Sequence, residues 1–393
     1  MRFGMRSSTC LSLLFFSTSS LPAHGLPAQQ RAIFPSIGPL DDVLLFDAPA
    51  FVDGNNLVAS VQAFVSLRQI NLTPFLSAVQ STIEDAFDLD IGNKVAQVGE
   101  RLRLFAAIGQ SEKDVNMKVG GCSAAASGSG ANVGRTGKLP DLGMVLGNVP
   151  LGSCARQNGA LTGAVEDKGT IITDARKFEN TIFASGPDGF GVISDIDDTV
   201  KITNTLDKLG VVKSTLLDDP KPVAGMPSLY TSLSKSLATS APPQFIYVSG
   251  SPFQLYPFLR SFISTSFPQS RGPLLLQNLT LIDIPGLLDF AKSDGIFEYK
   301  SEMVQRIQSF YPAKKWLTVG DSTQKDPETY ANAFRTFGPD FIACIWIRRV
   351  DGADNSDARF AEAFQGVPQD KFRVFSDEDI PSLERIDVKG GKC

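Results

Sequence analysis

The sequence predicts a mixed α/β protein in which a β-rich N-terminal part precedes a parallel sheet with helices on both faces. From about residue 190, short runs that are apolar throughout alternate with helical patterns, as in parallel sheets buried on both faces. Before residue 185, short alternating segments bounded by turn residues are typical of β-structure. The length of 393 residues suffices for two or three domains.

Composition and charge exclude several classes of protein. A content of 42% hydrophobic and 20% charged residues is ordinary for a globular protein and excludes a fully disordered chain. The formal net charge of −5 argues against non-specific nucleic-acid binding, because phosphate backbones require clustered lysine and arginine. We therefore expect no nucleic-acid partner.

Residues 1–25 have the pattern of a secretory signal peptide. Arg2 and Arg6 precede a short apolar stretch, and small residues suited to cleavage follow it. The stretch is too short to span a membrane, and no later window reaches about 18 unbroken apolar residues. The alternative is a disordered N-terminal tail. The pattern favours a secreted, extracellular protein.

The chain contains a single histidine, His24, which lies inside the predicted signal peptide. After cleavage, the chain cannot use a Ser-His-Asp or Cys-His arrangement for catalysis. Its acid–base chemistry must then come from aspartate, glutamate, lysine, tyrosine or cysteine.

The cysteines show no CxxC pair, so a zinc site is not expected. Cys122 and Cys154 flank a Gly/Ser-rich region and could form a disulfide in a secreted protein. Cys344 lies inside an apolar run, which favours a buried thiol.

Residues 31–185 are predicted to form a β-rich domain with at least one helix. Thr73-Pro74 has the pattern of an N-cap and first helical residue. We predict strands at 58–67, 161–165 and 170–173, a strand pair from 101–104 and 115–119, and a loop over 120–137.

Residues 186–393 are predicted to form the α/β domain. The predicted strands are 190–194, 245–248, 274–276, 316–319 and 341–347, and the predicted helices are 226–239, 252–266, 299–310 and 327–336. In such sheets, chemistry is located beyond the carboxyl ends of the strands.

Polar groups follow three of these strands and should converge in one crevice. Asp195 and Asp197 follow the first strand, and their spacing would place them on one face if the strand continued. Ser249 follows the second strand, and Asp321 follows the fourth. Neighbouring carboxylates stay ionised mainly when a cation lies between them, and Mg²⁺ prefers carboxylates, waters and a substrate phosphate.

These residue types support phosphoryl transfer without histidine. One aspartate can attack phosphorus, and a second can protonate the leaving group. Lys300, which opens a helix before the strand of Asp321, can neutralise charge on the transferring oxygens. Each feature alone is weak, because Asp-x-Asp pairs often occur in turns or helix caps. Their joint order along the chain favours the functional interpretation.

Four segments resemble the motifs of the haloacid-dehalogenase superfamily, and most closely those of its phosphatidate phosphatase branch, typified by the fungal actin-patch-associated enzyme. They are Asp195–Thr199, Val248–Pro252, Lys300, and Gly320–Ser322 with Asp326–Glu328. The similarity covers about residues 186–380 and implies a haloacid-dehalogenase-like fold for this region.

The resemblance also implies a role for each site residue. Asp195 would be the nucleophile, and Asp197 the general acid/base with its backbone carbonyl on the metal. Asp321 would bind Mg²⁺ directly, with Asp326 supporting it. Ser249, with the adjoining Gly250, and Lys300 would hold the phosphoryl group. The implied metal site therefore comprises Asp195, Asp197, Asp321 and Asp326.

The resulting expectation is a secreted Mg²⁺-dependent phosphatase that hydrolyses phosphatidate or a related lipid phosphate monoester through an aspartyl-phosphate. We expect a phospholipid or small phosphate ester as substrate and peripheral membrane contact, with Lys201, Lys208 and Lys213 as a local basic patch. One alternative is a phosphatase for a soluble extracellular ester. The other is a non-catalytic carbohydrate- or surface-binding protein that acts through residues 31–185.

Overall fold

The computed structural model describes residues 37–68, 73–88, 90–119, 131–152, 159–165, 178–278 and 295–393. The predicted signal peptide, Cys122, Cys154 and the predicted strand at 170–173 lie outside the described residues. Ser36–Cys393 forms one compact unit, and a domain boundary between 185 and 186 stays a prediction.

The N-terminal region is built on an eight-stranded sheet, which confirms its β-rich character. Its path is β1-β3-β2-β8-β7-β4-β5, with β6 paired to the free edge of the long strand β3. The strands are β1 Asp41–Leu45, β2 Ala48–Asp53, β3 Asn56–Leu67, β4 Asp114–Val119, β5 Ala131–Arg135, β6 Met144–Gly152, β7 Gly159–Val165 and β8 Glu179–Ala184. Small aliphatic side chains such as Val61, Val115 and Val149 fill its core.

Two helices accompany this sheet, and one of them corrects the prediction. Helix α1 spans Thr73–Phe87, as the Thr-Pro start predicts. The predicted strand at 101–104 is wrong, because α2 occupies Val95–Leu102 and a 3₁₀ turn follows it. Val98 and Leu102, four residues apart, are both buried, so helical spacing outweighs the short Arg/Leu alternation. Strand β4 instead pairs with β7 and with β5, which forms inside the predicted loop.

The second sheet is six-stranded and wholly parallel, in the order β11-β10-β9-β12-β13-β14. Its strands are β9 Phe190–Ser194, β10 Gln244–Pro252, β11 Leu274–Gln277, β12 Lys315–Asp321, β13 Ile342–Arg348 and β14 Phe372–Phe375. All five strands predicted in this region are present, and β14 is an additional edge strand.

Helices cover both faces of this sheet. They are α3 Lys208–Val212, α4 Met226–Ser236, α5 Tyr256–Ser266, α6 Ile296–Phe310, α7 Asp326–Phe337, α8 Asp357–Ala363 and α9 Ile380–Leu383. Val192 packs with the side chains of α4 and α5, whereas its neighbour Ile193 packs with those of α6 and α7. This alternation buries both faces and explains why the strands are apolar throughout.

Aromatic side chains join the first sheet to the second region. Phe46 packs edge-on against Tyr256 of α5 at 4.7 Å between ring centroids, and Phe51 stacks on Phe310 of α6 at 4.4 Å. Asp47 forms a bidentate ion pair with Arg260, with both N–O distances at 2.8 Å. The two sheets therefore share continuous hydrophobic cores.

The C-terminus is fixed by a disulfide between Cys344 of β13 and Cys393. The expectation of a buried thiol at Cys344 is therefore wrong. Cys393 lies 49 residues further along the chain, and no local sequence pattern links the two cysteines. Among the described residues, no helix is both long and apolar enough to cross a lipid bilayer.

Candidate active site

The predicted residues meet at the carboxyl edge of the parallel sheet. Strand β9 ends at Ser194, and the next residue, Asp195, donates its backbone N–H to the carbonyl of Val319 in β12 at 2.9 Å. Because the chain leaves the strand here, Asp195 and Asp197 do not share one strand face as the spacing suggested. Their carboxylates contact two different sets of partners.

The first set is a buried cluster of carboxylates around one ammonium group. Asp195, Asp321 and Asp326 each offer an oxygen, and these atoms lie within 4.8 Å of one another. The Nζ atom of Lys300 lies 2.7 Å from Asp195 Oδ1 and 2.5 Å from Asp326 Oδ1. All four residues are fully buried. The predicted convergence of Asp195, Lys300, Asp321 and Asp326 is thus present in the fold.

Asp326 reaches this cluster because α7 begins there and because Gly320 carries no side chain. Asp326 Oδ2 accepts the backbone N–H of Asp321 at 3.1 Å. A Cβ atom at Gly320 would lie 2.5 Å from that same oxygen, a distance that real Cβ atoms essentially never show. Glycine before Asp321 is therefore required for the close approach of the two aspartates.

Burial and charge shift the pKa values of this cluster. Burial raises the pKa of the Asp195 carboxyl well above its ordinary value, against the opposing effect of Lys300. Burial, with Asp326 and Asp198, raises the pKa of Asp321 to about 7. Burial lowers the pKa of Lys300, but Asp195 and Asp326 outweigh it, so the pKa is raised and the ammonium stays charged.

The cluster fits a divalent cation. When all three carboxylates are ionised, they and the one ammonium carry a buried charge of two negatives, which a divalent cation would balance. Asp195 Oδ2 is buried and has no hydrogen-bond partner among the described residues. An unpaired carboxylate oxygen beside two further carboxylates is the donor set that Mg²⁺ prefers.

The second set of contacts surrounds Asp197. Its Oδ2 accepts the hydroxyl groups of Ser249 and Ser251, both at 2.7 Å, and its Oδ1 accepts the hydroxyl of Thr203 at 2.8 Å. The Asp197 carboxylate therefore lies outside the three-carboxylate cluster. Ser249 reaches the site as expected, but in this state its hydroxyl binds Asp197. Gly250 faces Ile296 at the start of α6, where a Cβ would lie 3.3 Å from that side chain.

A strap, residues 198–206, encloses the site and was not predicted. Asp198 has a φ of 56°, and its carboxylate accepts the backbone N–H groups of Thr203, Asn204 and Thr205 at 2.7–2.8 Å. Arg348 at the end of β13 donates to the Asp198 carbonyl at 2.6 Å. These bonds hold the backbone that follows Asp195 and Asp197 in one conformation.

The strap contributes buried polar side chains that sequence reasoning missed. Lys201 is fully buried and donates to Thr203 Oγ1 at 2.9 Å, so it does not belong to an exposed basic patch. Thr199 donates to Asp321 Oδ2 at 3.1 Å. Lys201, Thr203 and Thr205 are buried, whereas Ile202 and Leu206 are exposed. Polar residues at every second position, 201, 203 and 205, were the signal in the sequence that could have predicted an extended strap with a polar inner face.

Comparison with known proteins finds relatives of the segment that holds this site. Residues 190–349 match the family model described as phosphatidate phosphatase APP1, catalytic domain. Over 165 residues, 41% of this chain, the sequence is 33% identical to phosphatidate phosphatase APP1 of Saccharomyces cerevisiae and 29% identical to the uncharacterized protein C29B5.04c of Schizosaccharomyces pombe. The matches span 26% and 25% of those two proteins, so the chain covers about a quarter of each relative. The segment 190–349, which contains all the site residues above, is therefore similar to the phosphatidate phosphatase APP1 catalytic domain.

Proposed function

We propose that this protein is a Mg²⁺-dependent phosphatidate phosphatase that works through an aspartyl-phosphate on a haloacid-dehalogenase-like fold. The observation that carries the proposal is the cluster of Asp195, Asp321 and Asp326 around Lys300, with one carboxylate oxygen of Asp195 left unpaired. The family of segment 190–349 and the name of its Saccharomyces cerevisiae relative support phosphatidate as the substrate.

In this mechanism, Asp195 Oδ2 attacks the phosphorus atom of the ester. Oδ1 is held by Lys300 at 2.7 Å, which leaves Oδ2 as the oxygen able to form the new bond. The bond between phosphorus and the ester oxygen breaks, and the phosphoryl group is carried on Asp195. Lys300 stabilises the negative charge on the transferring oxygens, and a bound divalent cation would supply further neutralisation there.

Asp197 is suited to move the proton. Its carboxyl group donates a proton to the departing ester oxygen, which releases diacylglycerol. In the second step it takes a proton from water, which attacks the aspartyl-phosphate and releases inorganic phosphate. The hydroxyl groups of Thr203 and Ser251 fix the Asp197 carboxyl group for both steps. When substrate is bound, reorientation of the Ser249 hydroxyl from Asp197 towards the phosphoryl group would give the phosphate contact expected of it.

Secretion is part of the same proposal. The signal-like pattern of residues 1–25 supports it, and so does the disulfide between Cys344 and Cys393, because disulfides persist in oxidising compartments.

Kinetics with defined substrates test the function. We expect kcat/KM for phosphatidate in mixed micelles to exceed that for soluble sugar and nucleotide phosphates by about 100-fold, the ratio that about 2.7 kcal/mol of differential binding gives. Equal kcat/KM values would favour a phosphatase for soluble esters. No hydrolysis of any phosphate monoester with Mg²⁺ present would contradict the enzymatic function.

Thermal unfolding with and without Mg²⁺ tests the cation site. The raised pKa of Asp321, about 7 against an ordinary 3.8, means that its contribution to stability is complete below about pH 4 and is lost as the pH rises through 7. Without a divalent cation, we therefore expect Tm to fall over this range. Saturating Mg²⁺ should raise Tm by about 5 °C near pH 8 and by less near pH 5, since the ionised carboxylates bind it.

The variant Asp321→Asn provides the control for this measurement. In this variant, Tm should not show the decline with rising pH that is assigned to the Asp321 carboxyl group. Its Tm should also not rise when Mg²⁺ is added. If the wild-type Tm near pH 8 were the same in EDTA and in Mg²⁺, the cation site would be wrongly assigned.

A further inference from the structure

We propose that exposed aliphatic side chains at the catalytic end of the molecule form a lipid-contacting surface that seats the enzyme on the membrane or micelle holding its substrate. This inference rests on the proposed function and specifies how the enzyme meets that substrate. Its main part is the loop-tip patch, which we define as Leu40, Leu67, Ile108 and Leu139.

The loop-tip patch is strongly exposed. Leu40, Ile108 and Leu139 are 64%, 61% and 71% exposed, and Leu67 is 42% exposed. Large aliphatic side chains that are scattered singly over a surface need no explanation, but a concentration of them marks an interaction site.

Backbone contacts bring the patch together at one end of the first sheet. The N–H of Leu67 donates to the carbonyl of Ile108 at 2.8 Å, and the N–H of the residue after Leu67 donates to the carbonyl of Leu40 at 2.8 Å. The loop that carries Leu139 lies against Gly109, where an added Cβ would overlap the carbonyl of Leu142. The four side chains therefore stand on neighbouring loop ends.

The direction of β3 places this end beside the catalytic edge. Near the start of β3, Val58 pairs with Phe51, and Phe51 stacks on Phe310. Phe310 is the last residue of α6, which ends shortly before β12 begins at the amino edge of the parallel sheet. Near its end, Phe64 packs on Phe253, directly after the carboxyl end of β10, with ring centroids 5.0 Å apart. Strand β3 thus runs towards the carboxyl edge of the parallel sheet, and Leu67 lies beyond Phe64 at that end.

A direct contact connects the patch loop with the catalytic edge. Asn278, which follows β11, donates to Asp141 in the loop of Leu139 at 2.9 Å. Strand β11 is two strands from β9. At about 4.8 Å between strands, the carboxyl end of β11 is about 10 Å from that of β9, which precedes Asp195.

Exposed aliphatic side chains also flank the other side of this edge. Ile202 and Leu206, on the outer face of the strap, are 38% and 44% exposed. Leu206 lies beside Gly352, which follows the carboxyl end of β13. Within the described ranges, one other large aliphatic side chain is similarly exposed but belongs neither to the loop-tip patch nor to the strap. It is Leu146, which lies part-way along β6 and is 55% exposed.

The occupant that fits this distribution is a lipid surface. The aliphatic side chains lie on loop ends on both sides of the site, where a bilayer or micelle surface carrying the substrate would meet them together. Charges at the rim are paired, with Lys113 to Asp41 at 2.7 Å and Lys138 to Glu112 at 3.1 Å. These two pairs add no net charge beside the patch, and insertion of aliphatic groups into a lipid surface is favourable by itself.

Vesicle binding by the double variant Ile108→Ser/Leu139→Ser tests the patch. With phosphatidylcholine vesicles that contain phosphatidate, we expect about tenfold weaker co-sedimentation than wild type, and a similar drop in hydrolysis of vesicle-bound phosphatidate. Hydrolysis of a water-soluble short-chain phosphatidate below its micelle concentration should be unchanged. Leu146→Ser is the matched control and should bind vesicles as wild type does.

Tryptophan fluorescence gives a second, direct measurement. The two native tryptophans, Trp316 and Trp346, are fully buried and should not respond to lipid. An indole introduced by Leu139→Trp should shift its emission to the blue when vesicles are added, because the side chain leaves water. An indole introduced by Leu146→Trp should not shift.

The outcomes separate this inference from the proposed function. Unchanged vesicle binding by the double variant, with no shift for Leu139→Trp, would overturn the lipid surface. Self-association that depends on Ile108 and Leu139, with vesicle binding unaffected, would assign the patch to a second copy of the chain and also overturn it. Patch-dependent vesicle binding by a wild type that hydrolyses neither form of phosphatidate would support the surface and contradict the proposed function.

Discussion

The Asp195→Asn variant is expected to lose at least about 10⁴-fold in kcat on phosphatidate, because an amide cannot act as the nucleophile that we propose Asp195 to be. A loss of that size corresponds to about 5.5 kcal/mol of activation free energy. The amide has the same shape as the carboxylate, and it removes one negative charge from a cluster with an excess of negative charge. We therefore expect Tm to be unchanged or slightly raised.

Steady-state kinetics and trapping of the phosphorylated enzyme measure this effect. Wild type mixed with phosphate-labelled substrate and quenched in acid should carry the label on Asp195, and the variant should carry none. The matched control is Asp41→Asn, which alters a buried aspartate of the first sheet that pairs with Lys113 at 2.7 Å. The control should lower Tm and leave kcat/KM for a water-soluble short-chain phosphatidate intact. Retention of more than about a tenth of kcat by Asp195→Asn would show that another group attacks phosphorus.

The strands of the parallel sheet could be predicted because their physics is local. A strand buried on both faces must be apolar at every position, and the packing of Val192 and Ile193 with opposite layers of helices shows this directly. Residues at or just beyond the carboxyl ends of these strands reach the common edge, so Asp195, Ser249 and Asp321 were found from sequence alone.

Contacts between distant segments could not be predicted in this way. Arg101 lies in a helix and donates to the carbonyls of Thr215 and Asp218, more than 100 residues away, and no local alternation encodes those partners. The same holds for the disulfide that joins Cys344 to Cys393. Within the site, the separation of Asp195 from Asp197 depends on the turn after Ser194, which a spacing of two residues does not reveal.

The fixed position of Asp198 shows a further limit of sequence reasoning. Read as a motif, the four polar positions of Asp195–Thr199 look equivalent, and any of them is a candidate ligand. The fold distinguishes them by their donors, because the Asp198 carboxylate accepts three backbone N–H groups of the strap and the hydroxyl of Thr205. Asp198 therefore holds the backbone of the strap, whereas Asp195 and Asp197 carry the chemistry in the proposed mechanism.

The Lys300→Met variant is expected to lower the free energy of unfolding by about 3–5 kcal/mol and to abolish phosphatase activity. The substitution leaves three buried carboxylates without the ammonium that is bonded to two of them, and an uncompensated buried charge is strongly destabilising. Tm should fall by about 10 °C, at about 2–4 °C per kcal/mol. Mg²⁺ should restore part of this loss, because a divalent cation opposes the same excess charge.

A double-mutant cycle with Asp326→Asn distinguishes this charge effect from the loss of packing. Removing one carboxylate should relieve the repulsion, so the double variant should be more stable than Lys300→Met, with a coupling energy of about 2–3 kcal/mol. It should remain inactive, since the transferring phosphoryl oxygens still lack their ammonium partner. The matched control is Lys314→Met, a lysine buried to a similar degree that donates to the backbone carbonyl of Asp188 and has no carboxylate cluster around it. If Lys300→Met were no less stable than Lys314→Met, the carboxylates would have to be protonated in the resting protein, and Lys300 would then not hold Asp195 in its attacking, ionised form.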